Sequence, residues 1–186
     1  MDTQKVKGTM LADIVRMIRK NKDKNWGEYL KPEDWDVINR KILDSAWYPL
    51  ELYTRFGLAA FEILANGDPR ISYMGGQIRG EELFKGVYKS IIIDKYPMKS
   101  LHRFVGMYGL LFNFSVFTIE DVGENHVKIF HKFDRKNLEK NIPYCHHLMG
   151  LLDTLIEMTG GKDIKIELTA KQWENAPATI FGITWK

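Results

Sequence analysis

Cysteine is all but missing from this chain: the 186 residues contain one, Cys145. No intramolecular disulfide can form, and no cysteine cluster can hold zinc. With no base predicted beside it, Cys145 reads as a buried apolar side chain rather than a nucleophile. Long apolar runs are also lacking. No stretch approaches the ~20 residues that a membrane span needs. The opening "MDTQKVKGTM" has no apolar signal-peptide core, so a cytoplasmic protein is expected. Charge of one sign is not in excess either. Against 27 Lys and Arg stand 24 Asp and Glu, a net charge of +3. The lysines alternate with acids instead of gathering on one face, which argues against a nucleic-acid partner. The densest basic cluster, "RMIRKNKDK" at 16–24, reads as a helix end, where cations suit the negative end of the dipole.

Several chemistries are missing with their motifs. The chain has no phosphate-binding P-loop, no G-x-S-x-G elbow and no H-E-x-x-H helix. "GGQIRG" at 75–80 lies inside a helical pattern, not after a strand, and makes a poor dinucleotide loop. The five histidines do not form a metal pair. His126 and His131 are five apart on a predicted strand and face opposite ways. His146 and His147 are adjacent on a helix and diverge by about 100°. No metal site and no enzymatic activity are expected.

Proline is scarce, with six residues, but its placement is informative. Pro32, Pro49, Pro69, Pro97 and Pro143 each stand at the start of a helical period, where proline is favoured. Met10, Leu11, Ile14, Val15 and Ile18 keep helical spacing from Thr9, the expected N-cap, to Lys20. Trp35, Ile38 and Ile42 predict the buried face of a second helix. Leu52, Phe56, Ala60 and Leu64 predict a third, ended by "NGD" at 66–68. Asp68 and Pro69 open a fourth, reaching about Tyr88. Its glycines 75, 76, 80 and 86 imply close approach of another backbone or of a ligand. A fifth spans Pro97 to about Leu110.

The period then changes. "NFSVFTIE" (113–120) and "HVKIFHKF" (126–133) predict a hairpin. "IPYCHHLMGLLDTLIEMTGG" (142–161) predicts a helix, "DIKIELTA" an alternating strand and "ATIFGITW" (178–185) a last strand. In the alternating strand Ile164, Ile166 and Leu168 should face helix 143–159, leaving Lys165 and Glu167 outside. The expected fold is α+β: N-terminal helices, then β-β-α-β-β, with a four-stranded antiparallel sheet covered by helices on one face. One domain is expected over 1–186, with a helical segment 1–45 packed on a core 46–186.

Two features stand out as candidate sites. "SAWYPLELYTRF" (45–56) crowds Trp47, Tyr48, Tyr53 and Phe56 around a proline. Trp47 is expected to be structural, stapled onto a helix start, with Arg55 free to bond backbone or a carboxylate. The second is a pocket between helix 70–88, helix 97–110 and the sheet. Its expected ligand-binding residues are His102, Tyr108, Phe112 and Phe114, apolar walls with a few polar groups. The competing reading is that these aromatics simply fill the core.

"VKGTM", "SAWYPLELYTRF", "GDP" and the glycine-bearing helix to "GVYKS" resemble a bacterial domain of unknown function abundant in myxobacteria and other deltaproteobacteria. The last third, "PYCHHLMGLLDTLIEMTGGKDIKIELT…ATIFGITW", is similar to vinyl-reductase-type small-molecule-binding domains. Their superfamily includes heme nitric-oxide-binding domains and vesicle-tethering TRAPP subunits. The resemblance implies an α+β fold that binds a small apolar ligand or a protein partner, often as a homodimer, without turnover. On this reading no cofactor is expected. The alternative it implies is a heme-based gas sensor, because "SLHRFVGMY" (100–108) resembles the helix that gives heme its histidine, here His102. The Y-x-S-x-R propionate clamp of those relatives is replaced by "HKFDRKN", with Arg135 as a partial substitute. The extra cysteines common on the last hairpin of vinyl-reductase-type domains are missing.

Overall fold

A computed structural model describes residues 4–132 and 138–186. Helix α1 (Gly8–Lys20) turns Leu11, Val15 and Ile18 inward and ends on Arg19 and Lys20, the charge that a helix C-terminus favours. Thr9 does not cap it; its hydroxyl donates to the Asp44 carbonyl at 3.2 Å. Helix α2 (Asp34–Asn39) is shorter than the spacing predicts. Ile38 is buried, while Trp35 and Ile42 are only partly so. Helices α3 (Leu50–Ala65), α4 (Pro69–Lys85) and α5 (Pro97–Gly109) follow. Asp68 caps α4 by accepting the Arg70 backbone N–H at 2.9 Å, with Pro69 in the first turn, as the sequence predicts.

The N-terminal half also holds a ribbon that helical periodicity does not predict. Strand β1 (Lys5–Lys7) pairs antiparallel with β2 (Trp47–Pro49). Trp47 therefore lies on a strand, not in the core. It is 41% exposed, and the Lys7 ammonium sits 3.9 Å over its ring, a cation–π contact. The expectation of a buried, stapling Trp47 is corrected accordingly. The burial in that run falls to Leu52, Tyr53 and Phe56 on α3. Arg55 does find a carboxylate: Nε and Nη2 bond Asp34 at 2.8 and 2.6 Å.

The second half forms strands β3 (Phe117–Gly123) and β4 (His126–His131), helix α6 (Ile142–Met158), and strands β5 (Lys165–Ala170) and β6 (Thr179–Thr184). The four strands make one antiparallel sheet in the order β3-β4-β6-β5. Val127, Ile129, Phe181 and Ile183 supply its buried face. Ile166 and Leu168 pack against the core while Lys165 and Glu167 stay exposed, as alternation predicts. Helices α5 and α6 pack against the sheet, giving the α+β arrangement. A continuous hydrophobic cluster joins α1 and Trp26 at one end to Phe181 and Trp185 at the other.

Helix α4 lies unusually close to α6. A Cβ at Gly76 would fall 2.0 Å from the His147 carbonyl oxygen, and one at Gly150 would fall 2.0 Å from that of Tyr73. Only glycine permits this approach. The backbone of His147 is pinned by it.

Candidate functional site

Helices α1, α3, α4 and α6 stand around a cavity of about 520 Å³, within the range of small-molecule and cofactor sites. Each gives one stripe at helical spacing. Met10, Ile14 and Met17 come from α1; Gly57, Phe61 and Leu64 from α3; Ile71, Gly75 and Ile78 from α4; Tyr144, His147 and Leu151 from α6. Tyr108, at the end of α5, and Leu111 complete the wall. The glycines widen the space. A Cβ at Gly57 would come within 4.0 Å of Ile14, and one at Gly75 would lie 3.7 Å from His147 Nδ1.

The polar groups are few and sorted. Asp13 of α1 and Arg79 of α4 meet across the cavity at 2.8 Å. Asp13 also bonds Arg16 at 2.8 Å, and Arg79 bonds Glu82 at 3.0 Å. Lys20 and Lys140 reach the wall as well and form no ion pair among the described residues. Deeper in lie the phenols of Tyr53, Tyr108 and Tyr144, all buried. Burial pushes each of them well above the ordinary phenol range. His147 is the imidazole of this wall. Burial, assisted by the Arg79 charge, pushes it down to about 4, although the Ser72 carbonyl that accepts from its ring opposes the shift. It is therefore neutral at pH 7.

The four residues expected to line a pocket do not surround one space. Tyr108 lines the cavity. Phe112 and Phe114 do not. Their rings meet edge-on at 5.6 Å, and Phe112 meets Tyr108 at 6.3 Å and Phe117 at 6.1 Å, so these aromatics fill core. His102 points elsewhere. Its side chain is 45% exposed and its Nε2 lies 2.7 Å from Asp121 Oδ1 on β3. Leu101, Phe104 and Tyr108 occupy the buried face of α5, which turns position 102 outward. The sheet does not contribute to the cavity, contrary to the location expected. Metal-pair spacing does not single out His147, because the adjacent His146 diverges from it by about 100°. The signal was its place in the series Tyr144, His147, Leu151, the i, i+3, i+7 stripe of one helix face.

Cys145 is fully buried, and burial raises its thiol pKa well above the usual range. No group of three or more potential metal-ligating side chains occurs among the described residues, and no helix among them is long and apolar enough to cross a membrane. Arg135, the partial clamp substitute, lies outside the described residues.

No protein-family model matches the chain, and no curated protein matches it. Solved structures do. The iron(II) unliganded H-NOX protein of K. algicida aligns over 97% of this chain and 96% of its own, with a TM-score of 0.63 and 12% identity. An H-NOX protein of S. oneidensis in the Fe(II)NO state aligns over 97% and 99%, with a TM-score of 0.59 and 13% identity. A structure concerned with heme distortion in the H-NOX family gives 97% and 95%, 0.62 and 11%. At such identity the likeness is one of fold, and the fold is that of the H-NOX domains. It overturns the expectation that no cofactor goes with this architecture, since the solved proteins that share it carry heme.

The residues of the cavity are compatible with such a group. Its walls are largely apolar, one neutral imidazole lines it, and the cationic side chains of Arg16, Lys20, Arg79 and Lys140 lie along it. His102, paired with Asp121 at the surface, does not fit.

Proposed function

We propose that this chain is a heme-based gas-sensing domain, with the cofactor seated between α1, α3, α4 and α6 and with binding rather than turnover as its task. The observation that carries this reading is the cavity, a large apolar space with a single imidazole on its wall, inside a fold whose solved representatives include an Fe(II)NO form. Heme would supply an iron able to bind a diatomic gas. The chain supplies the rest. Met10, Ile14, Phe61 and Leu64 exclude water. Lys20 and Lys140 would meet the heme carboxylates. Tyr53, Tyr108 and Tyr144 bring polar groups to an otherwise apolar wall. A cytoplasmic location belongs to the same proposal.

The test is titration of the purified protein with hemin. A Soret band saturating at one heme per chain is expected, and Gly57→Phe, which fills the cavity, should reduce uptake. If the wild type takes up no stoichiometric heme, the gas-sensor reading falls, and the cavity is left to a different apolar ligand.

A further inference from the structure

We propose that the outer face of α4 is a self-association surface, on which a second copy of this chain lays its own α4 antiparallel. The inference is independent of what fills the cavity. Helix α4 is apolar on two opposite sides. On its inner side Gly76, Gly80, Leu83 and Phe84 are buried, and Gly76 and Gly80 lie against His147 and Thr154 of α6. Its outer side carries Ile71, Met74 and Ile78, whose i, i+3, i+7 spacing puts them on one face. They are 46%, 58% and 63% exposed, although Ile71 and Ile78 also border the cavity. No other helix or strand among the described residues exposes more than one large apolar side chain. Single exposed apolar residues are ordinary on a protein surface. A helix apolar on both faces is one with neighbours on both sides.

The charges beside the stripe select the occupant and its direction. Arg70 and Glu81 are exposed and stand eleven residues apart. That is about three turns, so they share one flank of the helix. A two-fold axis near Gly75 and Gly76 then sets Met74 against Ile78 of the second copy and Arg70 against Glu81 of the second copy. At the helix ends the same axis brings Lys85 to Asp68 of the second copy. Each contact occurs twice, as in any isologous interface. Parallel packing would instead oppose Arg70 to Arg70 and Glu81 to Glu81. Within one chain Arg70 bonds Asp68 at 2.6 Å and Lys85 bonds Glu81 at 2.7 Å. Exposed pairs of this kind are weak, and carboxylates have acceptor capacity for a further cation.

The experiment is sedimentation velocity of the full chain up to high micromolar concentration. The wild type should show a monomer–dimer equilibrium, and Met74→Glu should abolish it. Arg70→Glu and Glu81→Arg should each raise the dissociation constant at least about fivefold, because two exposed pairs are reversed together. An equal mixture of these two variants should recover the dimer, since every 70–81 contact between them joins opposite charges. Far-UV circular dichroism checks that each variant is folded. Should Met74→Glu lose the native spectrum, the charge variants and their mixture decide. A wild type that stays monomeric overturns the proposal, and if that monomer floats with phosphatidylglycerol vesicles, the stripe belongs to a membrane surface. A dimer that survives Met74→Glu overturns the choice of surface. Charge variants that dimerise as well as the wild type, or a mixture that does not recover, overturn the antiparallel pairing.

Discussion

Asp34 shows how a single residue is made necessary. It is 1% exposed, and its carboxylate takes both Nε and Nη2 of Arg55 and the Lys31 N–H, at 2.6–2.8 Å. Burial would raise its pKa; the bonds from Arg55 and Lys31 outweigh that and hold the carboxyl below the usual range. Asp34→Ala would leave the Arg55 guanidinium, itself only 16% exposed, with the exposed Glu51 carboxylate at 3.1 Å as its remaining ion-pair partner among the described residues. The expected cost is about 3 kcal/mol, the lower end for a broken buried pair because Arg55 keeps some water. Urea midpoints at pH 7 measure it. Because the folded pKa is depressed, the stabilisation is present above about pH 4 and fades below it. The gap between wild type and variant should therefore narrow in acid. The sequence offered Arg55 a carboxylate without naming which, since the partner lies on another helix. His102 turns outward for a more local reason. Its sequence neighbours are apolar, but the phase that Leu101, Phe104 and Tyr108 set around the helix puts position 102 on the outer face.

At the scale of elements, α4 and α6 are the closest pair, and their contact depends on hydrogen-sized side chains. A methyl group at Gly150 would have to displace the Tyr73 carbonyl, 2.0 Å away. Gly150→Ala should cost about 1–3 kcal/mol, as overpacking does. Gly106→Ala, on α5 with nothing within 4 Å, should be neutral or stabilising by up to about 1 kcal/mol. Chemical denaturation of the two variants side by side tests the contrast. The glycines of α4 were legible in advance as a close-approach surface, and the long helices were legible because their apolar residues recur over three or more turns. The sheet could be read from alternation in β4, β5 and β6. The β1–β2 ribbon could not. Its strands are three residues long, too short to show a period, and Val6 meets Tyr48 only through folding. The cavity escaped for a similar reason. Each helix contributes a stripe that looks like ordinary core, and only the gap between stripes makes it a site.

For the whole molecule, the imidazoles of buried His131 and half-buried His147 set the response to acid. Burial pushes His131 down to about 3 and His147 to about 4, whereas an unfolded histidine titrates near 6.5. Below that pH the unfolded chain binds protons that the folded chain refuses, so stability is full above about pH 6.5 and falls as pH drops toward 4 and 3. Each histidine contributes a slope of up to about 1.4 kcal/mol per pH unit in that window. His131→Phe, which keeps a ring against Phe117 and Tyr144, should flatten the dependence of the melting temperature between pH 6 and 4. The topology of the sheet has a different consequence, for the order in which the protein assembles. β6 follows β5 in the chain but lies between β4 and β5. The β3–β4 hairpin closes locally, yet β4 finds its second partner only when Val127 meets Ile183. Until then the β3–β4 and β5–β6 hairpins each present an open inner edge, that of β4 and that of β6. Loop closure over so long a span is slow relative to hairpin formation. Docking of β6 on β4 is thus the step at which a nascent or stressed chain is most exposed to pairing with a second molecule, and a chain cut short of β6 would leave the β4 edge open.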